Sequence, residues 1–230
     1  MNRIFYFHWI LPAVLLIALC IALQPLELDL WITDHIYALQ NHHWTLKKSW
    51  LLETVIHQRG RTLIGIMALC LLASWLTSAY IAILRPYRRG LGYFLLSLVC
   101  SLLIVSCLKN LTHIGCPWDF YRYGGDQPYQ ATLSAIFGTS SKRCFPAGHA
   151  SGGYAWVASY FFCRQYLPWW RIPALVISLA LGLCFGIAQQ IRGAHFLSHD
   201  LWTLAICWYT PLIIFYYVAK TEKDYSIQTQ

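Results

Sequence analysis

Three short segments hold an unusual density of reactive side chains for so apolar a chain. They are Lys109-Asn-Leu-Thr-His113-Ile-Gly-Cys116-Pro117-Trp118-Asp119, then Arg143-Cys144-Phe145-Pro146-Ala147-Gly148-His149, then Gln189-Gln190-Ile191-Arg192-Gly193-Ala194-His195-Phe196-Leu197-Ser198-His199-Asp200. His195 and His199 have the four-residue spacing of a helical metal grip. The set nevertheless lacks the paired carboxylates, or the further Glu, that hydrolytic zinc sites commonly use. Phosphoryl transfer suits these residues better. Cations offset the charge on the phosphoryl oxygens, one imidazole attacks phosphorus, and another protonates the departing oxygen. Histidine serves both roles because its proton comes and goes near neutrality. Gly148 would let a main-chain N–H approach a phosphate oxygen closely. A helix beginning at His149 would add the partial positive charge of its N-terminus there.

Each residue alone has a plainer reading. Lys109 could be an interfacial lysine with a buried stem, Pro-Ala-Gly-His a loop-to-helix turn, and Arg192 a partner for lipid headgroups. It is the ordered set on one membrane face that points to catalysis. His113 reads as a loop residue, and the Trp and Tyr residues, Trp169 and Trp170 among them, as an interfacial belt.

The elements that must carry these segments follow from composition. Of 230 residues, 58% are hydrophobic and only 11% charged, against about 25% charged in soluble domains. Mean hydropathy is +0.48. A disordered chain, a collagen-like fibre and a small disulfide scaffold are thereby excluded. The formal net charge of +8 fits the Lys and Arg excess of cytoplasmic loops rather than nucleic-acid binding. A helix crosses the hydrocarbon with about 20 apolar residues. Six stretches qualify: Phe5–Gln24, Thr62–Leu84, Leu91–Leu108, Ala150–Tyr166, Ile172–Gln190 and Leu201–Val218. The expected fold is therefore an all-α, polytopic membrane bundle of six transmembrane helices. Residues 1–220 form one domain, and 221–230 a short polar cytoplasmic tail. The first stretch exceeds a signal peptide's apolar region of about 7–15 residues and lacks a cleavage site, so it reads as an uncleaved span. A lipoprotein site at Cys20 is weak, because Leu19 stands where a small residue is expected.

Arg85, Arg88 and Arg89, then Arg164 and Arg171, then Lys220 and Lys223 fall on the side of Arg3. The positive-inside rule makes that side cytoplasmic, so both termini are cytoplasmic and the three reactive segments face outward. Most cysteines lie in or beside spans as small apolar residues. Cys116 and Cys144 instead share the outward third loop, each next to a reactive segment. In an oxidising space they would pair as a disulfide tethering the two segments; otherwise they are two free thiols.

The order Lys…Pro, Pro-x-Gly-His, then Arg…His…Asp resembles the type 2 phosphatidic acid phosphatase (PAP2) superfamily, in its membrane lipid phosphatase branch. That family's pattern is K-x6-RP, PSGH and SR-x5-H-x3-D, and the resemblance covers roughly Lys109 to Asp200 with the flanking spans. It implies six spans, a site near the outer surface, and no cofactor or metal. It also implies that His195 forms a phosphohistidine and that His149 is the general acid, with the Lys and Arg groups binding phosphate. Lys109, Pro117, Pro146, Gly148, His149 and His195 match the pattern. Cys116 replaces an Arg, Ala147 a Ser, Gln189 an Arg and His199 an Asp. Nearby residues offer substitutes. Arg192, three before His195, would share a helical face with it. Asp200 or His199 would set the His195 ring, and Arg143 or Arg122 would stand in for the guanidinium missing at Cys116.

The expected function is an integral membrane lipid phosphatase in a bacterial inner membrane, with its site facing the periplasm or exterior. It would hydrolyse a phosphomonoester or diphosphate of a lipid of the phosphatidic acid, phosphatidylglycerol phosphate, undecaprenyl diphosphate or lipid A class. Phosphotransfer to a second lipid, a phospholipid-binding relative without turnover, and a small transporter are the alternatives. The partners expected are the lipid substrate and the bilayer, with neither nucleic acid nor an obligate protein partner.

Overall fold

Long apolar stretches in hydrocarbon must satisfy their own backbone hydrogen bonds, and helices do so within one segment. The computed structural model describes residues 5–23, 27–129 and 142–228, and its regular structure is helical throughout. Among the described residues the sole extended pairing is an isolated bridge between Phe120 and Gln127. The helices are α1 (Leu11–Leu23), α2 (Leu28–Leu39), α3 (Gly60–Thr77), α4 (Arg88–Leu111), α5 (Gly148–Tyr154), α6 (Ala158–Tyr166), α7 (Arg171–Ile191) and α8 (Leu197–Gln228). A π-helical stretch, Trp50–Arg59, runs directly into α3, and a single 3-10 turn, Ala155–Val157, joins α5 to α6.

Three helical stretches among the described residues are long and apolar enough to cross a membrane: Trp50–Thr77, Arg85–Leu111 and Pro168–Ile191. Tyr6–Leu19 is a shorter apolar helix. Each stretch read from the sequence as a span coincides with helix, with shifted ends. The second begins earlier and closes at Thr77, short of the expected Leu84. α8 continues past Val218 to Gln228, through what reads in sequence as a separate tail. Its Pro211 stands inside the helix without ending it.

The α5–α6 rod is the centre of the bundle. α4, α7 and α8 surround it, and Ala150, Ala155, Val157 and Ala158 are fully enclosed. It touches protein on nearly every side, whereas α3, α4 and α7 turn Leu63, Leu69, Leu103, Val176 and Ile177 outward. Exposed apolar rows of this kind suit lipid rather than water. The α5–α7 crossing is close because glycine meets glycine. A Cβ on Gly153 would collide with the Gly182 backbone, and one on Gly182 with the Tyr154 ring.

A small second core sits beyond one end of the bundle. Leu30 of α2 packs there with Phe120, Tyr123 and Phe196, flanked by Tyr37 and Trp44. This cap ties the amino-terminal segment to the ends of α4, α7 and α8, where the reactive segments emerge.

Candidate active site

α4 ends two residues past Lys109, α5 begins at Gly148, and His195 follows the end of α7, so the connectivity delivers all three to the same end of the bundle. A Schellman turn closes α7. Gly193, at φ +75°, sends its N–H to Gln190 O, and the Ala194 N–H reaches Gln189 O. The chain then reverses into α8, whose first turn is capped from α2: Asp29 Oδ1 accepts the Ser198 N–H at 2.9 Å. The tight turn lets His195 and His199 stand together, with Nδ1 to Nδ1 at 3.4 Å.

The Cys116–Cys144 disulfide, Cα to Cα 5.2 Å, joins the other two segments. Cys144 N–H donates to Ile114 O at 2.9 Å, and the Thr112 hydroxyl to Phe145 O. The Thr203 hydroxyl lies between the carbonyls of His199 and Ala147, at 2.9 and 3.3 Å. The Pro-Ala-Gly-His turn is thus fixed against the turn that carries His199.

A cavity of about 530 Å³ opens between these elements, with His149, His195, Lys109, Gly148 and Arg192 in its lining. The Lys109 ammonium stands over Gly148, 3.4 Å from where a Cβ would be, an ordinary contact distance. The Arg192 side chain is almost wholly buried. Its Nε donates to Lys47 O at 2.9 Å, Nη1 to Gln189 Oε1 at 3.1 Å, and Nη2 pairs with the Glu53 carboxylate. Gln189 therefore keeps a place in the cavity wall and holds the guanidinium three residues further along. The buried Nε2 atoms of Gln189 and His149 have no partner among the described residues.

Other expected residues lie elsewhere. Asp200 does not hold the His195 ring: its Oδ2 accepts from Gln190 Nε2 at 2.5 Å, between α7 and α8, where burial pushes its proton affinity up to about 7. One register step past His199 turns its side chain to a different helix face. His199 is the residue beside His195. Arg143 is exposed, with its Nη1 on Asn110 Oδ1 at 3.1 Å, and Arg122 is paired with Asp34 at 2.6 Å. Neither lines the cavity. The guanidinium that does, besides Arg192, is Arg61.

Sequence reasoning missed the contribution of residues 50–61. His57 and Arg61 line the cavity, and Glu53 grips both Arg192 and His57. The signal was the spacing Glu53, His57, Arg61, each about one turn from the next, in a segment that reads as the loop before a span.

Electrostatics sets the charge of the two cavity histidines that the motifs single out. His195 is pushed well below ordinary histidine by burial, then by His199 and Lys109, so it is a neutral imidazole. His149 is lowered to about 4, first by burial and then by the charge of His57, with the Ile56 carbonyl acting the other way. The arrangement can present a neutral nitrogen to phosphorus among cations and amide donors. No curated protein and no solved structure matches the chain. The sequence model of the PAP2 superfamily matches residues 90–223, more than half of the chain and all three reactive segments, so the protein belongs to the PAP2 superfamily, with a phosphatase-type domain carried on apolar helices.

Proposed function

We propose that this protein is an integral membrane lipid phosphatase working through a phosphohistidine on His195. The carrying observation is the single cavity lined by His149, His195, Lys109, Gly148 and Arg192, which arrive from three separate parts of the chain. Nδ1 of His195 faces His199, which leaves Nε2 to attack phosphorus as the P–O bond to the lipid breaks. His149 delivers its proton to the departing lipid oxygen. Water then attacks the phosphohistidine, loses a proton to His149, and releases His195 and inorganic phosphate.

His149 binds a proton poorly with only protein around it. A phosphate dianion beside it reverses that balance, because an adjacent negative charge favours the imidazolium. Substrate entry itself would thereby arm the acid. Lys109, Arg192 and the Gly148 N–H would hold the phosphoryl oxygens, and His199 would fix the His195 ring. The lipid chain would lie against the apolar helices.

We further propose six spans with the cavity at the outward rim and both termini cytoplasmic, in a bacterial inner membrane. The disulfide supports this, since such bonds persist in oxidising spaces, and Arg85, Arg88, Arg89 and Arg171 gather at the opposite end of α4 and α7. The substrate class is a phosphomonoester or diphosphate of a lipid. Phosphate release from a panel of lipid phosphates by purified protein tests the reading. Turnover that His195→Ala and His149→Ala abolish, that vanadate inhibits and that chelators leave untouched is the expected result.

A further inference from the structure

The segment ahead of α3 brings a third imidazole to the cavity. Glu53 and His57 stand one turn apart on Trp50–Arg59, and Arg61 follows at the start of α3. His57 Nδ1 lies 3.4 Å from Glu53 Oε1, and the same carboxylate pairs with Arg192 and accepts from Gln58 Nε2 at 3.1 Å. The His57 ring meets the His149 ring edge to face, with centroids 4.4 Å apart and planes at 61°. Both rings line the cavity. The His57 side chain is 37% exposed, while Nε2 of His149 is closed off from solvent.

Two imidazoles in ring contact cannot both be charged without repelling each other. We infer that His57, oriented by Glu53, is a positioning residue of the active centre that governs whether His149 carries its proton. The inference rests on the reading of His149 as the acid of phosphoryl transfer, and His57 lies outside the region matched to the family, residues 90–223.

The titratable and charged groups around His149 come from several elements. Glu53, His57 and Arg61 approach from the α3 side, Lys109 from α4, Arg192 from the end of α7, and His195 from the turn after it. After burial, the charge of His57 is the largest influence that holds His149 down to about 4, ahead of Arg192 and Arg61. Replacing His57 by a neutral amide removes that charge and leaves the others in place. His149 should then keep its proton to higher pH. Over a turnover the proton balance is unchanged: His149 loses one proton to the lipid oxygen and regains one from the attacking water. His57 sets only how readily the pair holds it.

The test is an NMR titration of full-length, ¹⁵N-histidine-labelled protein in lipid nanodiscs, comparing the wild type with His57→Asn and His57→Ala. The His149 midpoint should rise by about one pH unit, a tenfold gain in proton affinity. An unmoved His149 midpoint in a folded variant would overturn the inference. In parallel, the alkaline limb of the pH–rate profile for phosphate release should move upward. Loss of rate with that limb unmoved would mean that His57 is merely structural. If the wild type releases phosphate from no lipid while the midpoint still moves, the phosphatase reading falls and the coupling of the two rings stands.

Discussion

The cavity has two walls of different origin. One is built by Lys109, Gly148, His149, Gln189, Arg192 and His195, all within the region matched to the superfamily; the other, by His57 and Arg61, backed by Glu53, precedes that region. The first wall carries the groups suited to reacting with phosphorus. The second touches them: Glu53 grips Arg192, and His57 lies on His149. Cys116, Gln189 and His199 stand where the resemblance reads two arginines and an aspartate, and a neighbouring segment adds His57 and Arg61 to the cavity. The cavity also holds Arg192, which Gln189 and Glu53 fix from two sides.

This division orders the expected effects of substitution. His195→Ala removes the proposed nucleophile and should abolish phosphate release to the limit of the assay. His149→Ala should cost about 10²–10⁴-fold in kcat, the usual worth of a positioned acid–base group. Arg192→Ala and Lys109→Ala should each cost about 10²–10³-fold, as loss of a donor to developing charge does, read as kcat/KM for a short-chain lipid phosphate. On the second wall, Glu53→Gln should lower kcat/KM about tenfold, in line with losing one charge-assisted hydrogen bond to a residue that itself remains. An Arg192→Ala, Glu53→Gln double variant should lose less than the product of the two single effects, since part of the carboxylate's influence passes through that guanidinium and the rest through His57. Full additivity would break the proposed link between the walls.

The smallest effects belong to residues that share the motif neighbourhood without lining the cavity. Arg143→Ala should leave turnover within about threefold, as surface substitutions away from special features usually do. Asp200→Asn should also keep activity, and it should stabilise the fold at alkaline pH. The Asp200 carboxyl is raised to about 7 in the folded protein from 3.8. The native state therefore binds more protons than the unfolded state between those values, and stability falls as pH rises through that window. The asparagine variant lacks that loss, which thermal unfolding in detergent at pH 6 and pH 9 would measure.

Much of this was legible in the amino-acid sequence. Long uncharged stretches leave the backbone no option but helix, and the order of Lys109, His149 and His195 along the chain sets which helix ends must meet. The disulfide was readable as one of two options from the placement of Cys116 and Cys144. The choice between Asp200 and His199 was not legible, because one residue on a helix turns a side chain by about 100°, which carries Asp200 away from His195 toward Gln190. Whether Arg143 or Arg122 reaches the cavity was not legible either, because adjacency in sequence says nothing of direction; Arg143 lies on Asn110 and Arg122 on Asp34. The second wall escaped because its polar residues sit where an apolar span begins. There, Glu53, His57 and Arg61 look like an ordinary headgroup fringe until the fold sets them against α5 and α7.

Trapping the phosphoenzyme tests the central claim most directly. Protein incubated with a ³²P-labelled lipid phosphate, quenched in alkali to preserve phosphohistidine and digested, should carry the label on the peptide containing His195. The label should be absent from His195→Ala. Label on any other residue, or turnover with no label under conditions that preserve phosphohistidine, would contradict it.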